Sequence, residues 1–280
     1  MPTNWQRREA AKRKLERQLA RRAARAKRRR TYAVVGSAAA VVLVVGLIAL
    51  VSFVSGRKDS GATAEPEPSA LPLPTTTLAP PPVRPEPLPA TVTCQYASSP
   101  PPAKPVTPPP GGAVPAQGTQ RAILQTSAGP IGLTLERALA PCTVHSFLSL
   151  AKQGFYSGSP CHRLVTNPGL QVLQCGDPTG KGTGGPGYTI PDEVFPELTY
   201  SRGYVAMANT GKPNSGGSQF FLIFGDAQLL PSYTVFATIS PEGLKVIDQI
   251  AQAGDDRSFE PSPGGGKPNK PVTIQAVQVG

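Results

Sequence analysis

The chain has 280 residues, a formal net charge of +11 and 34 prolines. Neither excess is evenly spread: residues 1–30 hold 13 Lys/Arg against 2 Asp/Glu, and 18 of the prolines fall within 59–118. The other 250 residues carry 15 charges of each sign, so basicity belongs to one arm and gives the rest of the chain no nucleic-acid-binding character.

Residues 1–31 form the basic arm, rich in Ala, Leu, Arg and Lys, all good helix formers. A nucleic-acid-binding arm is the lesser reading, because a long apolar run adjoins it. Residues 32–54 run for 23 positions without a charged side chain, long enough for a helix to cross a bilayer with some tilt. The basic flank precedes this run, so the positive-inside rule predicts a cytoplasmic N-terminus and an extracytoplasmic remainder. The arm would then lie against anionic membrane lipid. A cleaved signal peptide ending near Ala62-Thr63-Ala64 competes, but the apolar run exceeds the usual length of such a core. Residues 55–118 read as a disordered proline-rich linker, with too few bulky apolar residues for a core and a bias to extended polyproline II. One island, residues 91–96, interrupts the proline pattern and could pack on the C-terminal domain.

Residues 119–280 are long enough for one sizeable core. Strands are predicted over 121–126 and 131–135, joined by a turn at 127–130. Helices are predicted over 141–152, with Pro141 early and Gly154 just past the end, and over about 241–253. Further strands are predicted at 161–165, 170–175, 203–208, 219–224, 234–239 and 272–279. About eight strands with two helices point to a closed antiparallel barrel, since closure removes exposed edges.

Cys94, Cys142, Cys161 and Cys175 are all C-terminal to the apolar span, and an even number in an oxidising compartment reads as two disulfides. Three pairings are open. If the strands holding Cys161 and Cys175 form a hairpin, those two are neighbours, which leaves Cys94 with Cys142. No Cys-x-x-Cys pair exists, so a metal site is not expected. His145 falls in the first predicted helix. His162 is expected to be a buried, hydrogen-bonded structural residue. The glycine-rich stretch 180–187 lacks P-loop spacing and reads as a tight surface loop.

Cys161-His-Arg-Leu-Val165 followed by Leu173-Gln-Cys-Gly-Asp177 resembles the cyclophilin stretch FHR…QGGD. Gly182-Thr-Gly-Gly185 is similar to that family's GTGG loop. Met207-Ala-Asn-Thr-Gly211 with Gly217-Ser-Gln-Phe-Phe221 resembles its MANAG…GSQFF block, and Thr234-Val-Phe236 resembles the strand before its last helix. The motifs occur in family order. The layout of arm, span and stalk resembles membrane-anchored actinobacterial cyclophilins. The resemblance implies an eight-stranded cyclophilin-like barrel and a peptidyl-prolyl cis-trans isomerase without a cofactor. The expected unit is a monomer acting on proline-containing polypeptides.

Position by position, the resemblance makes Arg163 the catalytic arginine and Gln174 the residue that orients it. Ala208, Asn209 and Gln219 match the peptide groove, and Phe221 matches the floor of the proline pocket. Val172 stands where the family has a pocket methionine, Leu229 where many members have tryptophan and Tyr233 where many have histidine. Leu230 matches a pocket leucine. Three extra residues lie within Val165-Thr-Asn-Pro-Gly169, so either Leu170 or Gln171 takes the place of a second pocket aromatic. The rival reading is a proline-peptide-binding scaffold or chaperone module with little turnover.

Overall fold

The computed structural model describes residues 78–280. The chain divides between Glu67 and Pro68 into two units. The first unit, with the basic arm and the expected span, lies outside the described residues. Among the described residues no helix is long and apolar enough to cross a membrane.

In chain order the strands are β1 (Thr91–Cys94), β2 (Ala97–Ser98), β3 (Gly112–Pro115), β4 (Thr119–Thr126) and β5 (Gly129–Glu136). Helix α1 (Pro141–Lys152) is next, then β6 (Ser159–Pro160), β7 (Arg163–Val165), β8 (Leu170–Cys175), β9 (Tyr188–Thr189), β10 (Tyr204–Met207), β11 (Phe220–Ala227) and β12 (Val235–Ile239). Helix α2 (Pro241–Gln252) and β13 (Thr273–Val279) complete the chain. One nine-stranded sheet runs β6-β13-β4-β5-β12-β10-β11-β8-β7, every pair antiparallel.

Strand alternation directs this sheet. Along β5, Ile131, Leu133 and Leu135 are buried while their neighbours are less so, the period-two pattern of a sheet with one covered face. Phe147 of α1 meets Tyr156, Phe220 and Phe236 at centroid separations of 5.1, 5.8 and 5.5 Å, forming the aromatic centre of the core. Helix α1 has no capping side chain of its own. The carboxylate of Glu193 accepts instead from the backbone N–H groups of Cys142 and Thr143 at 2.9 and 2.8 Å. Helix α2 is capped locally, by Ser240 Oγ accepting from Gly243 N at 3.1 Å.

The sheet corrects the expected closed eight-stranded barrel: it is curled, has nine strands, and its ladder does not close. The predicted strand at 161–165 accounts for the difference. Its run begins at Ser159 but breaks at Cys161-His162, so β6 pairs with β13 at one edge while β7 pairs with β8 at the other.

The second half of the expected linker is not a free spacer either. β1 pairs with β3, and Cys94 is fully buried and bonded to Cys142 at the start of α1. Arg84 donates to the carbonyls of Leu139 and Glu193 at 2.9 Å each and lies 5.2 Å from the Phe195 ring centroid. Lys104 donates to Gly154 O at 2.6 Å. These anchors, together with Val114 in the core and Val92, Tyr96 and Val106 packed against it, hold residues 78–118 to the sheet. The second disulfide joins Cys161 to Cys175, and no described cysteine is free.

Candidate active site

β7 and β8 run antiparallel in a register that sets Arg163 opposite Gln174. The Cys161–Cys175 bond ties the segment just before β7 to the end of β8. On the other side of β8, Phe221 of β11 also stands opposite Gln174. Successive residues of β11 face opposite ways, so Phe220 enters the aromatic core while Phe221 lines a cavity of about 540 Å³. Arg163, Val172 and Gln174 line that cavity as well.

The Arg163 guanidinium is held from three directions. Nη1 donates to Gln174 Oε1 at 3.2 Å, Nε to Gly264 O at 2.9 Å and Nη2 to Pro263 O at 2.6 Å. Arginine has five N–H donors, so two, one on each terminal nitrogen, have no protein acceptor among these bonds. Burial lowers the Arg163 pKa, opposed by Tyr233 and Glu260.

A relay continues behind it. Gln174 Nε2 donates to Gln219 Oε1, and Gln219 Nε2 donates to Gly184 O, both at 2.9 Å. Gly184 belongs to the glycine-rich loop, which folds around one buried carboxylate. Asp177 accepts from the N–H groups of Thr179, Thr183 and Gly184. Burial would push its pKa up, but the amides of Gly184 and Thr179 and the Thr179 hydroxyl outweigh that and hold it below the usual carboxylate value. A Cβ at Gly184 would stand 2.0 Å from Asp177 Oδ1, so only glycine fits. The loop is thus a fixed wall ending the relay.

On the apolar side, the Tyr233 ring meets Phe221 edge-on at 5.4 Å. Ala208 and Leu229 line the cavity. Ala208 N donates to Gln219 O at 2.8 Å, and Asn209 Nδ2 donates to Ser232 O at 2.8 Å, which ties the groove to the 229–233 lip. The choice between Leu170 and Gln171 falls to Leu170, which lines the cavity.

Leu230 corrects the pocket assignment. It is 80 % exposed and is not among the cavity-lining residues. Its neighbour Leu229 fills that side, and the turn closed by Ser232 N on Leu230 O leaves the Leu230 side chain outside. His162 is buried, as expected, though neither ring nitrogen makes a hydrogen bond of good geometry. Burial lowers its pKa, with Asp177 and the Pro160 backbone opposing and Arg163 reinforcing the shift. Five cavity residues were not expected at the site: His162, Lys181, Gly182, Phe259 and Pro263. The last two come from an irregular loop nearly a hundred residues beyond Arg163, and no periodicity or motif marks them.

The family model for cyclophilin type peptidyl-prolyl cis-trans isomerase/CLD matches residues 121–279. The chain belongs to this family. Its cyclophilin domain is a peptidyl-prolyl cis-trans isomerase domain. "Probable peptidyl-prolyl cis-trans isomerase B" of Mycobacterium tuberculosis is 48 % identical over 194 residues, an alignment covering 64 % of this chain and 60 % of that protein. The protein of the same name from Mycobacterium leprae is 44 % identical over 311 aligned residues, covering 100 % of both chains. Among solved structures, a Cryptosporidium parvum cyclophilin type isomerase is 29 % identical with a TM-score of 0.51, covering 58 % of this chain and 98 % of its own.

Proposed function

We propose that this cyclophilin catalyses rotation about X-Pro bonds in extracytoplasmic polypeptides and assists their folding, anchored in the cell membrane by residues 32–54. The observation that carries the catalytic part is the Arg163 guanidinium, pinned by three acceptors beside an apolar cavity lined by Phe221. Amide rotation faces a barrier of about 18–20 kcal/mol from C–N double-bond character. At the twisted transition state the prolyl nitrogen regains a lone pair. A fixed charged donor aimed at that nitrogen binds the twisted amide better than either planar form, which is the condition for catalysis. Phe221, Val172 and Leu229 would hold the proline ring while the preceding segment turns. No bond breaks, so the reaction needs neither nucleophile nor cofactor.

The location rests on separate support. Two disulfides suit an oxidising compartment, and the basic arm before the apolar run suits anionic lipid on the cytoplasmic side. Protease added to intact cells should remove the cyclophilin domain; a domain protected until lysis contradicts the topology. A binding module with little turnover is the second reading, favoured by Leu229, which is aliphatic where many members have tryptophan. NMR exchange measurements on an X-Pro peptide with the full chain separate the two. Enhanced cis-trans exchange supports the enzyme, and binding without enhancement supports the module.

A further inference from the structure

We propose that Phe259 is a specificity-determining residue of this site, selecting substrates with a bulky apolar side chain next to the proline. The inference rests on the isomerase reading and adds a substrate class to it.

Phe259 lies in the 255–266 loop, and Arg163, Leu170 and Phe221 line the same cavity. It is the only apolar side chain of that loop other than the prolines. The ring is half-buried, yet it belongs neither to the hydrophobic core nor to the apolar residues packed against it. A large aromatic face that serves no core and lines a cavity is available to an occupant of that cavity.

The loop that carries the ring is held firmly. Leu164 of β7 and Gly266 exchange backbone hydrogen bonds at 2.8 and 3.0 Å. Gly265 has φ +72°, and a Cβ there would stand 2.1 Å from Leu164 O, so no other residue permits this approach. Phe259 N donates to Gly265 O and Gly264 N to Phe259 O. Glu260 Oε1 accepts from Gly265 N at 2.9 Å and from Asn167 Nδ2 at 3.1 Å. Asn167 lies in the stretch of extra residues after β7, so that stretch braces the aromatic loop.

The ring's place relative to the chemistry decides which part of a substrate it meets. Pro263 O and Gly264 O, from the same loop, hold the guanidinium that acts at the prolyl nitrogen. Phe221 occupies the proline-ring side. Phe259 therefore faces the substrate beside the rotation axis, where the side chain of a flanking residue lies.

The test uses the full chain and uncharged peptides in which the residue before or after proline is Ala, Leu or Phe. Exchange spectroscopy gives kcat/KM, and titration gives affinity. The parent should favour Leu or Phe over Ala at one flanking position by about 2- to 10-fold. Phe259→Ala should bring that ratio close to one, and Phe259→Tyr should keep it. A parent without preference, or a preference that survives in Phe259→Ala, overturns the proposal. If Phe259→Ala loses turnover altogether, the affinity ratios decide by the same criterion, with a thermal melt to confirm folding. A parent that binds with the stated preference but turns over no peptide defeats the isomerase reading and leaves the selectivity standing.

Discussion

Arg163 and Leu229 face one cavity from sides that are built differently. Around Arg163, acceptors from β8 and from the 255–266 loop converge on a single guanidinium. The Gln219 and Gly184 relay stiffens one of those acceptors from behind. Around Leu229, the lip is closed by short-range bonds, Leu229 N to Ala227 O and Ser232 N to Leu230 O. Its hydrogen bonds to the rest are the Asn209 amide on Ser232 O and the Tyr200 hydroxyl, which donates to Tyr233 O and accepts from Tyr233 N, and the Tyr233 ring packs on Phe221 and Tyr200. The directional charge that discriminates between planar and twisted amides is over-determined. The apolar lip, which needs only to enclose a ring, is held by backbone bonds and ring packing and carries no directional charge. Rate and affinity should therefore separate by side.

The strongest way to break that contrast is Phe221→Ala. Phe221 is 6 % exposed and its ring serves both core and cavity, so truncation should cost about 3–5 kcal/mol of stability. Peptide affinity and turnover should fall together, because the proline ring touches that floor in planar and twisted states alike; a loss confined to kcat would contradict this. Next, Gln174→Ala removes one of the three acceptors and severs the relay. With Pro263 O and Gly264 O retained, kcat should drop about 10-fold, or ~1.4 kcal/mol, with little change in peptide affinity. Steady-state exchange rates and titrations check the split.

The third test uses the histidines. Burial is the largest cause that lowers both His145 and His162. In the unfolded chain they take up protons as pH falls through about 6.5, while the folded chain lags. Stability from this source is thus fully present above about pH 6.5 and is lost as pH falls towards the folded values. Thermal melts from pH 7.5 to 5 should show a falling Tm, and His162→Gln should flatten the slope. The smallest effect is expected from Leu230→Ala, within about 0.5 kcal/mol in stability and with turnover near that of the parent, since its side chain is 80 % exposed.

Local signals were readable where one element satisfies its own rule. Pro141 near the start and Gly154 beyond the end delimit α1 at Pro141–Lys152, as expected from sequence. The paired motifs of β7, β8 and β11 place Arg163, Gln174 and Phe221 together. What stayed illegible depends on contacts distant in sequence. Glu193 caps α1 from 51 residues away. Arg84 ties down a proline-rich stretch that composition alone assigns to a spacer, although the packing of the 91–96 island and the Cys94–Cys142 pairing were both legible. Phe259 reaches the cavity on a loop whose course depends on Gly265 lying against β7. The break at Cys161-His162, which leaves the curled sheet unclosed, has no signature in alternation.

The central claim is that the Arg163 guanidinium acts on the twisted amide and not on ground-state binding. Its most direct test is two-dimensional NMR exchange on one X-Pro peptide, with the full chain and its Arg163→Ala variant, alongside titration of the same peptide. The account predicts turnover reduced about 10²- to 10³-fold in the variant, with peptide affinity within a few-fold of the parent. Near-parental turnover in Arg163→Ala, or affinity lost in proportion to turnover, would contradict it.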